Sequence, residues 1–96
     1  MKYRVYLSSR AKKQFKKLDD HIRRRINLEL LALEENPSEK GSLLQGFTPS
    51  LRYVKIFHSG VQYRAVYDVE HEKKEILVIF IGSRENFYKE LRRFLR

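Results

Sequence analysis

Cysteine is absent from this sequence, which rules out a disulfide scaffold and every thiolate metal site and fits a reducing, cytoplasmic setting. Long apolar runs are absent too. The longest, residues 76–81, has six members, far short of the roughly 20 that cross a bilayer as a helix, so no membrane-spanning helix is expected. Lys2 and Arg4 fall where a signal peptide needs an unbroken apolar segment, and the chain is expected to start directly as a domain. Acidic residues are few: 12 Asp and Glu stand against 21 Lys and Arg, a formal net charge of +9.

What is present outweighs that charge. Of the 96 residues 42% are hydrophobic, with six Phe and six Tyr, enough to build a core where a charged chain poor in such residues stays disordered. This length supports one core and not two, so residues 1–96 are expected to be a single domain. A folded basic domain implies an anionic partner.

Residues 2–7 alternate, with Tyr3, Val5 and Leu7 on one side, the period-two signature of a half-buried strand. Ser8 or Ser9 then offers a helix cap, and Ala11, Phe15 and Leu18 recur at helical spacing among Lys12, Lys13, Lys16 and Lys17. Asp19 and Asp20 open a second helix whose apolar stripe, Ile22, Ile26, Leu30 and Leu33, runs up to Asn36 and Pro37. Residues 38–50, with Gly41, Gly46 and Pro49, read as a connecting loop from which Leu43, Leu44 and Phe47 tuck back onto the core. Strands are expected over residues 51–57, 62–69 and 75–82, and a short last helix over residues 85–95 with Phe87, Leu91 and Phe94 or Leu95 on one face. The strand at 75–82 is apolar on both faces, which suits a central position. The order is β-α-α-β-β-β-α. It predicts an α+β domain with an antiparallel-rich four-stranded sheet, a helical hairpin on one face, and the other face at least partly open.

The hairpin between the second and third strands decides which side chains share that open face. With a four-residue connection at 58–61, Phe57 faces Gln62, Lys55 faces Arg64 and Tyr53 faces Val66, while Val54, Ile56, Tyr63 and Ala65 share the helix-covered side. An odd connection without a bulge would break that apolar matching. Like charges directly opposite each other on a sheet cost up to about 1 kcal/mol, and an anion between Lys55 and Arg64 removes the cost. Arg84 follows the next strand, behind Gly82, and Tyr88 sits one position past the apolar stripe of the last helix.

Lys55, Arg64, Arg84, Tyr53 and Tyr88 thus form a candidate patch of cations and aromatics. Guanidinium groups grip phosphate oxygens bidentately and tyrosines stack on unpaired bases, so the patch suits phosphodiester recognition. It also suits RNA cleavage without a metal, with Lys55, a lysine beside two arginines, as candidate base for a ribose 2′-OH and the arginines stabilising charge on phosphorus. On pattern alone a solvated sheet surface fits the same residues. Tyr63 and Tyr67 read as packing residues, and the lysines of the first helix as a solvated face that adds a nonspecific attraction for nucleic acid. His21, His58 and His71 show no ligand spacing, so no metal is expected; His58, at the mouth of the hairpin, is kept as an alternative base. No carboxylate pair, phosphate-binding glycine loop or nucleophilic triad is readable.

Three segments carry a family resemblance: Leu44-Gln45-Gly46, the strand pair Arg52-Tyr53-Val54-Lys55-Ile56 with Tyr63-Arg64-Ala65-Val66-Tyr67, and Gly82-Ser83-Arg84-Glu85-Asn86-Phe87-Tyr88. In order and spacing, over nearly the whole chain, they resemble the RelE/ParE superfamily of type II toxin–antitoxin toxins, and within it the RelE branch. The resemblance implies a ribosome-dependent endoribonuclease that cuts messenger RNA in the ribosomal A site, leaves a 2′,3′-cyclic phosphate and needs no metal or other cofactor. It implies as partners the ribosome, mRNA and a cognate antitoxin whose helix or strand covers the groove or displaces the final helix. By matching position, Lys55 resembles the family's basic strand residue and base candidate. Arg64 resembles its phosphate-stabilising arginine, Arg84 its second arginine, with a part in protonating the leaving oxygen, and Tyr88 its base-stacking tyrosine. Arg52, Tyr53 and His58 are carried as substrate-binding candidates, Tyr53 standing where some members have another lysine.

Two departures accompany the resemblance. The hairpin is about two residues longer than in the best-known member, an even change that keeps Lys55 and Arg64 facing each other. The chain also ends at Leu95-Arg96 without the late histidine of some relatives, which leaves proton transfer to Lys55, Tyr88 or His58. The alternative functions are a ParE-like inhibitor of DNA gyrase, and a weak or inactive homologue that only binds an antitoxin or RNA.

Overall fold

The apolar pattern organises the chain around one sheet, which a computed structural model describes over residues 2–44 and 51–94. In chain order the elements are β1 (Arg4–Leu7), α1 (Ser9–Lys16), α2 (Asp20–Leu33), α3 (Pro37–Lys40), β2 (Ser42–Leu43), β3 (Leu51–His58), β4 (Val61–Glu70), β5 (Glu75–Ser83) and α4 (Arg84–Phe94). The sheet runs β1-β5-β4-β3-β2, antiparallel except where β1 lies parallel to β5. It has five strands where the sequence predicts four. The extra strand, β2, is only two residues, paired with Arg52 and Tyr53; so short a strand has no periodicity of its own and exists through its partner. The same stretch, read as loop, also contains α3, a single turn opened by Pro37, whose fixed φ suits a first helical position. Phe47, Gln45, Gly46, Pro49 and Leu95 lie outside the described residues, as do the side chains of Leu91 and Phe94.

Local chemistry sets the helices as the spacing predicts. The Ser8 hydroxyl accepts from the Ala11 N–H at 3.1 Å and starts α1, whose buried residue is Ala11. In α2 the stripe Ile22, Ile26, Leu30 and Leu33 is buried. It meets Val54, Ile56, Ala65, Tyr67, Ile76, Val78 and Ile81 on one face of the sheet, the larger of two cores. No helix among the described residues is long and apolar enough to cross a membrane.

The other face is less open than alternation alone suggests. Leu44, Leu51, Val66, Phe80 and Phe87 form a second, smaller core there, and α4 is seated on it by Phe87 packing edge-on to Phe80 at 5.0 Å. One irregularity in β5 makes both cores possible. Val66 pairs with Phe80 but Tyr67 pairs with Val78, so Ile79 is an extra residue, a β-bulge that switches the side to which later residues point. Ile76, Val78 and Ile81 therefore all reach the helix side, while Phe80 turns to the other. This is the physical reason that the strand is apolar in both registers.

Candidate active site

The β3–β4 turn creates the alignment on which the site depends. Ser59 and Gly60 have φ of 50° and 77°, and His58 pairs with Val61, so the turn is a two-residue connection of the primed type whose twist matches the strands. Every predicted cross-strand pair follows from it: Phe57 with Gln62, Lys55 with Arg64, Tyr53 with Val66. Arg64 is paired in turn with Gly82 on β5, so Lys55, Arg64 and Gly82 form one row across three strands. Gly82 presents no side chain to that row, and a Cβ there would come within 3.0 Å of the Phe80 ring.

Arg64 is the centre of the arrangement. It is 6% exposed, and its guanidinium lies 4.2 Å from the Tyr53 ring centre and 5.8 Å from that of Tyr88. Its Nε donates to Gln62 Oε1 at 2.6 Å and its Nη1 to the Tyr88 hydroxyl at 3.4 Å. Among the described residues no carboxylate pairs with it. Burying an ion costs several kcal/mol unless an opposite charge compensates, and cation–π contacts return about 0.5–2 kcal/mol of that. Two rings and an amide hold the group in place and leave its charge unmatched, which makes an anion its natural partner.

The remaining cations lie around it. Lys55 is exposed, its ammonium 5.9 Å from the Phe57 ring centre. Arg84 is exposed and opens α4, where unpaired N–H groups already present positive potential; the Ser83 hydroxyl accepts from Asn86 N–H at 3.3 Å beside it. Tyr88, one turn on, packs on Phe87 at 5.2 Å. Arg84 and Tyr88 line an open groove of about 860 Å³ together with Phe57 and Gln62. Arg64, Tyr53 and Tyr88 are thus in contact, Lys55 is beside them in register, and Arg84 stands on the groove wall.

Arg52 and His58 are not brought to this site, which corrects their place among the substrate-binding candidates. Both alternate with Tyr53, Lys55 and Phe57 along β3 and so face α2 with Val54 and Ile56. Arg52 donates to the carbonyls of Ser38 at 2.6 Å and Gly41 at 2.7 Å, strapping α3 and β2 to the sheet. His58 stacks on His21 of α2 with ring centres 6.4 Å apart. Conversely, the sequence reading passes over Gln62, the acceptor that orients Arg64. The available signal was its position two residues before Arg64 on the same face of β4. Among the described residues no cluster of His, Asp or Glu could hold a metal ion.

Comparison with known proteins bears on the family and the fold. Residues 5–92 match the family described as the ParE-like toxin of type II bacterial toxin–antitoxin systems. The chain is similar to the mRNA interferase toxin RelE of Escherichia coli K12, with 34% identity over 85 residues, 88% of this chain and 86% of the relative. Its fold is similar to that of a mutant of E. coli toxin RelE in the free state, with a TM-score of 0.78 and 29% identity over 97% of this chain and 98% of that one. The toxin in the intact E. coli RelBE toxin–antitoxin complex gives a TM-score of 0.74 and 32% identity over 83% of this chain and 94% of that one.

Proposed function

Because the chain belongs to the ParE-like toxin family of type II bacterial toxin–antitoxin systems, we propose that it is an mRNA interferase, a ribosome-dependent endoribonuclease that cuts messenger RNA in the ribosomal A site. Its growth arrest would be held in check by a cognate antitoxin, as the toxin in the RelBE complex is bound by its own. The observation that carries the reading is Arg64, a buried guanidinium with aromatic and amide partners and, among the described residues, no acid. That arrangement fits a single phosphodiester better than a protein surface.

The chemistry follows from the placement. Lys55 takes the proton of the ribose 2′-OH, and the freed oxygen attacks the adjacent phosphorus. Arg64 holds the phosphoryl oxygens as negative charge gathers on them, Arg84 donates the proton with which the 5′-oxygen leaves, and the proton accepted by Lys55 returns to Arg84 through solvent, so none is gained or lost overall. Tyr88 and Tyr53 keep the Arg64 plane in place, and Tyr88 offers its outer face to a base. The products are a 2′,3′-cyclic phosphate and a 5′-hydroxyl, and no water is consumed. The A site of the ribosome supplies what so small a domain lacks, a strand held in the attacking geometry.

Brief induced expression followed by mapping of mRNA 3′ ends tests this. New ends should fall within translated regions and vanish with Arg64→Ala. Intact messages accompanied by inhibition of purified DNA gyrase would instead establish the ParE-type activity. Toxicity unchanged in an Arg64→Ala, Arg84→Ala double variant would sink the site assignment.

A further inference from the structure

Part of the groove wall is apolar where no core needs it. Phe57 is 56% exposed and Val61 39%, and both line the groove with Gln62, Arg84 and Tyr88. On the outward face of a half-buried strand, alternation calls for a polar residue at this position. Phe57 lies two residues beyond Lys55 on the same face, about 7 Å along the strand, roughly the reach of one nucleotide. It stands directly across from Gln62, which holds Arg64 by its Nε, and its ring neighbours the Lys55 ammonium. Its main chain is anchored from behind, where Arg25 of α2 donates to the Phe57 carbonyl. A largely exposed aromatic ring, fixed to a rigid strand, therefore adjoins the cations assigned to the phosphate.

We propose that Phe57 is a stacking platform for an unpaired nucleobase, one nucleotide away from the phosphate held by Lys55 and Arg64. The inference rests on the ribonuclease reading and adds a subsite to it. Charge selects the occupant: Lys55 lies beside the ring and Arg84 lines the same groove, so a strand that pairs each base with a negative phosphate fits the groove as a whole. Every base has a π-face, so Phe57 contributes grip and strand direction more than base identity.

The test is single-turnover cleavage on ribosomes programmed with an mRNA of defined A-site codon, comparing wild type with Phe57→Ala, Phe57→Leu and Phe57→Tyr. Stacking predicts that Ala and Leu each lower kcat/KM by about tenfold, chiefly through KM, while Tyr stays within about twofold of wild type. Because the side chain is exposed, all four proteins should share one melting temperature. A Leu variant as active as wild type would overturn the proposal, since an apolar contact without a ring would then suffice. Full activity in Ala also overturns it, and escape of that variant from its cognate antitoxin would make Phe57 a protein-docking residue. A wild type that cleaves nothing on these ribosomes defeats the ribonuclease reading itself, an outcome separate from all of these.

Discussion

Arg64 marks the one position among the described residues where burial and ionic charge coincide, and its Nε donates to the amide of its neighbour Gln62. An amide oxygen satisfies Nε without neutralising the guanidinium, so the charge stays available to an anion, which on the ribonuclease reading is a phosphate. Gln62→Glu keeps the acceptor and adds the missing counterion. Hydrogen bonds to charged groups contribute about 1.5–3 kcal/mol, so this variant should melt several degrees higher than wild type. The same carboxylate would compete with the substrate, and cleavage on programmed ribosomes should fall by at least about tenfold. Stability and activity moving in opposite directions is the signature; a variant that loses both, or neither, would show that Arg64 does not await an anion. The facing of Lys55 and Arg64 was legible from alternation alone, because apolar matching at Val54, Ile56, Tyr63 and Ala65 tolerates one register. The burial of Arg64 was not legible, since it depends on α4 folding back to lay Tyr88 beside it.

Among the elements, those with their own period were readable and those that exist by pairing were not. Helices α1 and α2 and strands β3 to β5 announce themselves through spacing, whereas α3 and β2 are held by Arg52 and by Tyr67, whose hydroxyl donates to the Pro37 carbonyl at 2.9 Å. Gly41 sits in this junction with φ of −102°, a conformation open to any residue, so it is space and not backbone freedom that requires glycine. A Cβ at Gly41 would lie 1.8 Å from the Tyr67 hydroxyl oxygen. Gly41→Ala should therefore destabilise by about 1–3 kcal/mol, the range for overpacking, and adding Tyr67→Phe should recover part of the loss, because the clashing atom is gone. The pair also has a pH signature. Burial raises the Tyr67 hydroxyl above its ordinary 10.0, outweighing the opposing effect of Arg52. The folded state then holds that proton more tightly than the unfolded chain, so its contribution is complete below pH 10.0 and is lost as pH rises through the folded value. Denaturant melts of wild type and Tyr67→Phe from neutral pH upward should show the tyrosine protein losing more stability in the alkaline limb.

At the scale of the whole molecule the positive charge behind the net +9 is found on both sides of the sheet. Arg64 and its neighbours occupy the face under α4, while Lys12, Lys13, Lys16 and Lys17 stand exposed along and just past α1, which packs against the opposite face through Ala11. Their charge acts over a Debye length of about 8 Å at physiological salt and would steer the domain toward a polyanion. On the ribonuclease reading, replacing these four lysines with glutamine should weaken ribosome association and flatten its dependence on salt. If all four neutralise single-stranded or folded RNA phosphates, the log–log slope should become shallower by about 2.8–3.6, at roughly 0.7–0.9 for each contact. Cleavage at saturating ribosome concentration should remain that of the wild type, so the effect appears in KM and disappears from kcat. Titrations of programmed ribosomes at several salt concentrations measure both quantities at once. A fall in kcat in the lysine variant would place α1 within the catalytic machinery, and an unchanged salt slope would leave the excess charge of this domain without a role in finding its substrate.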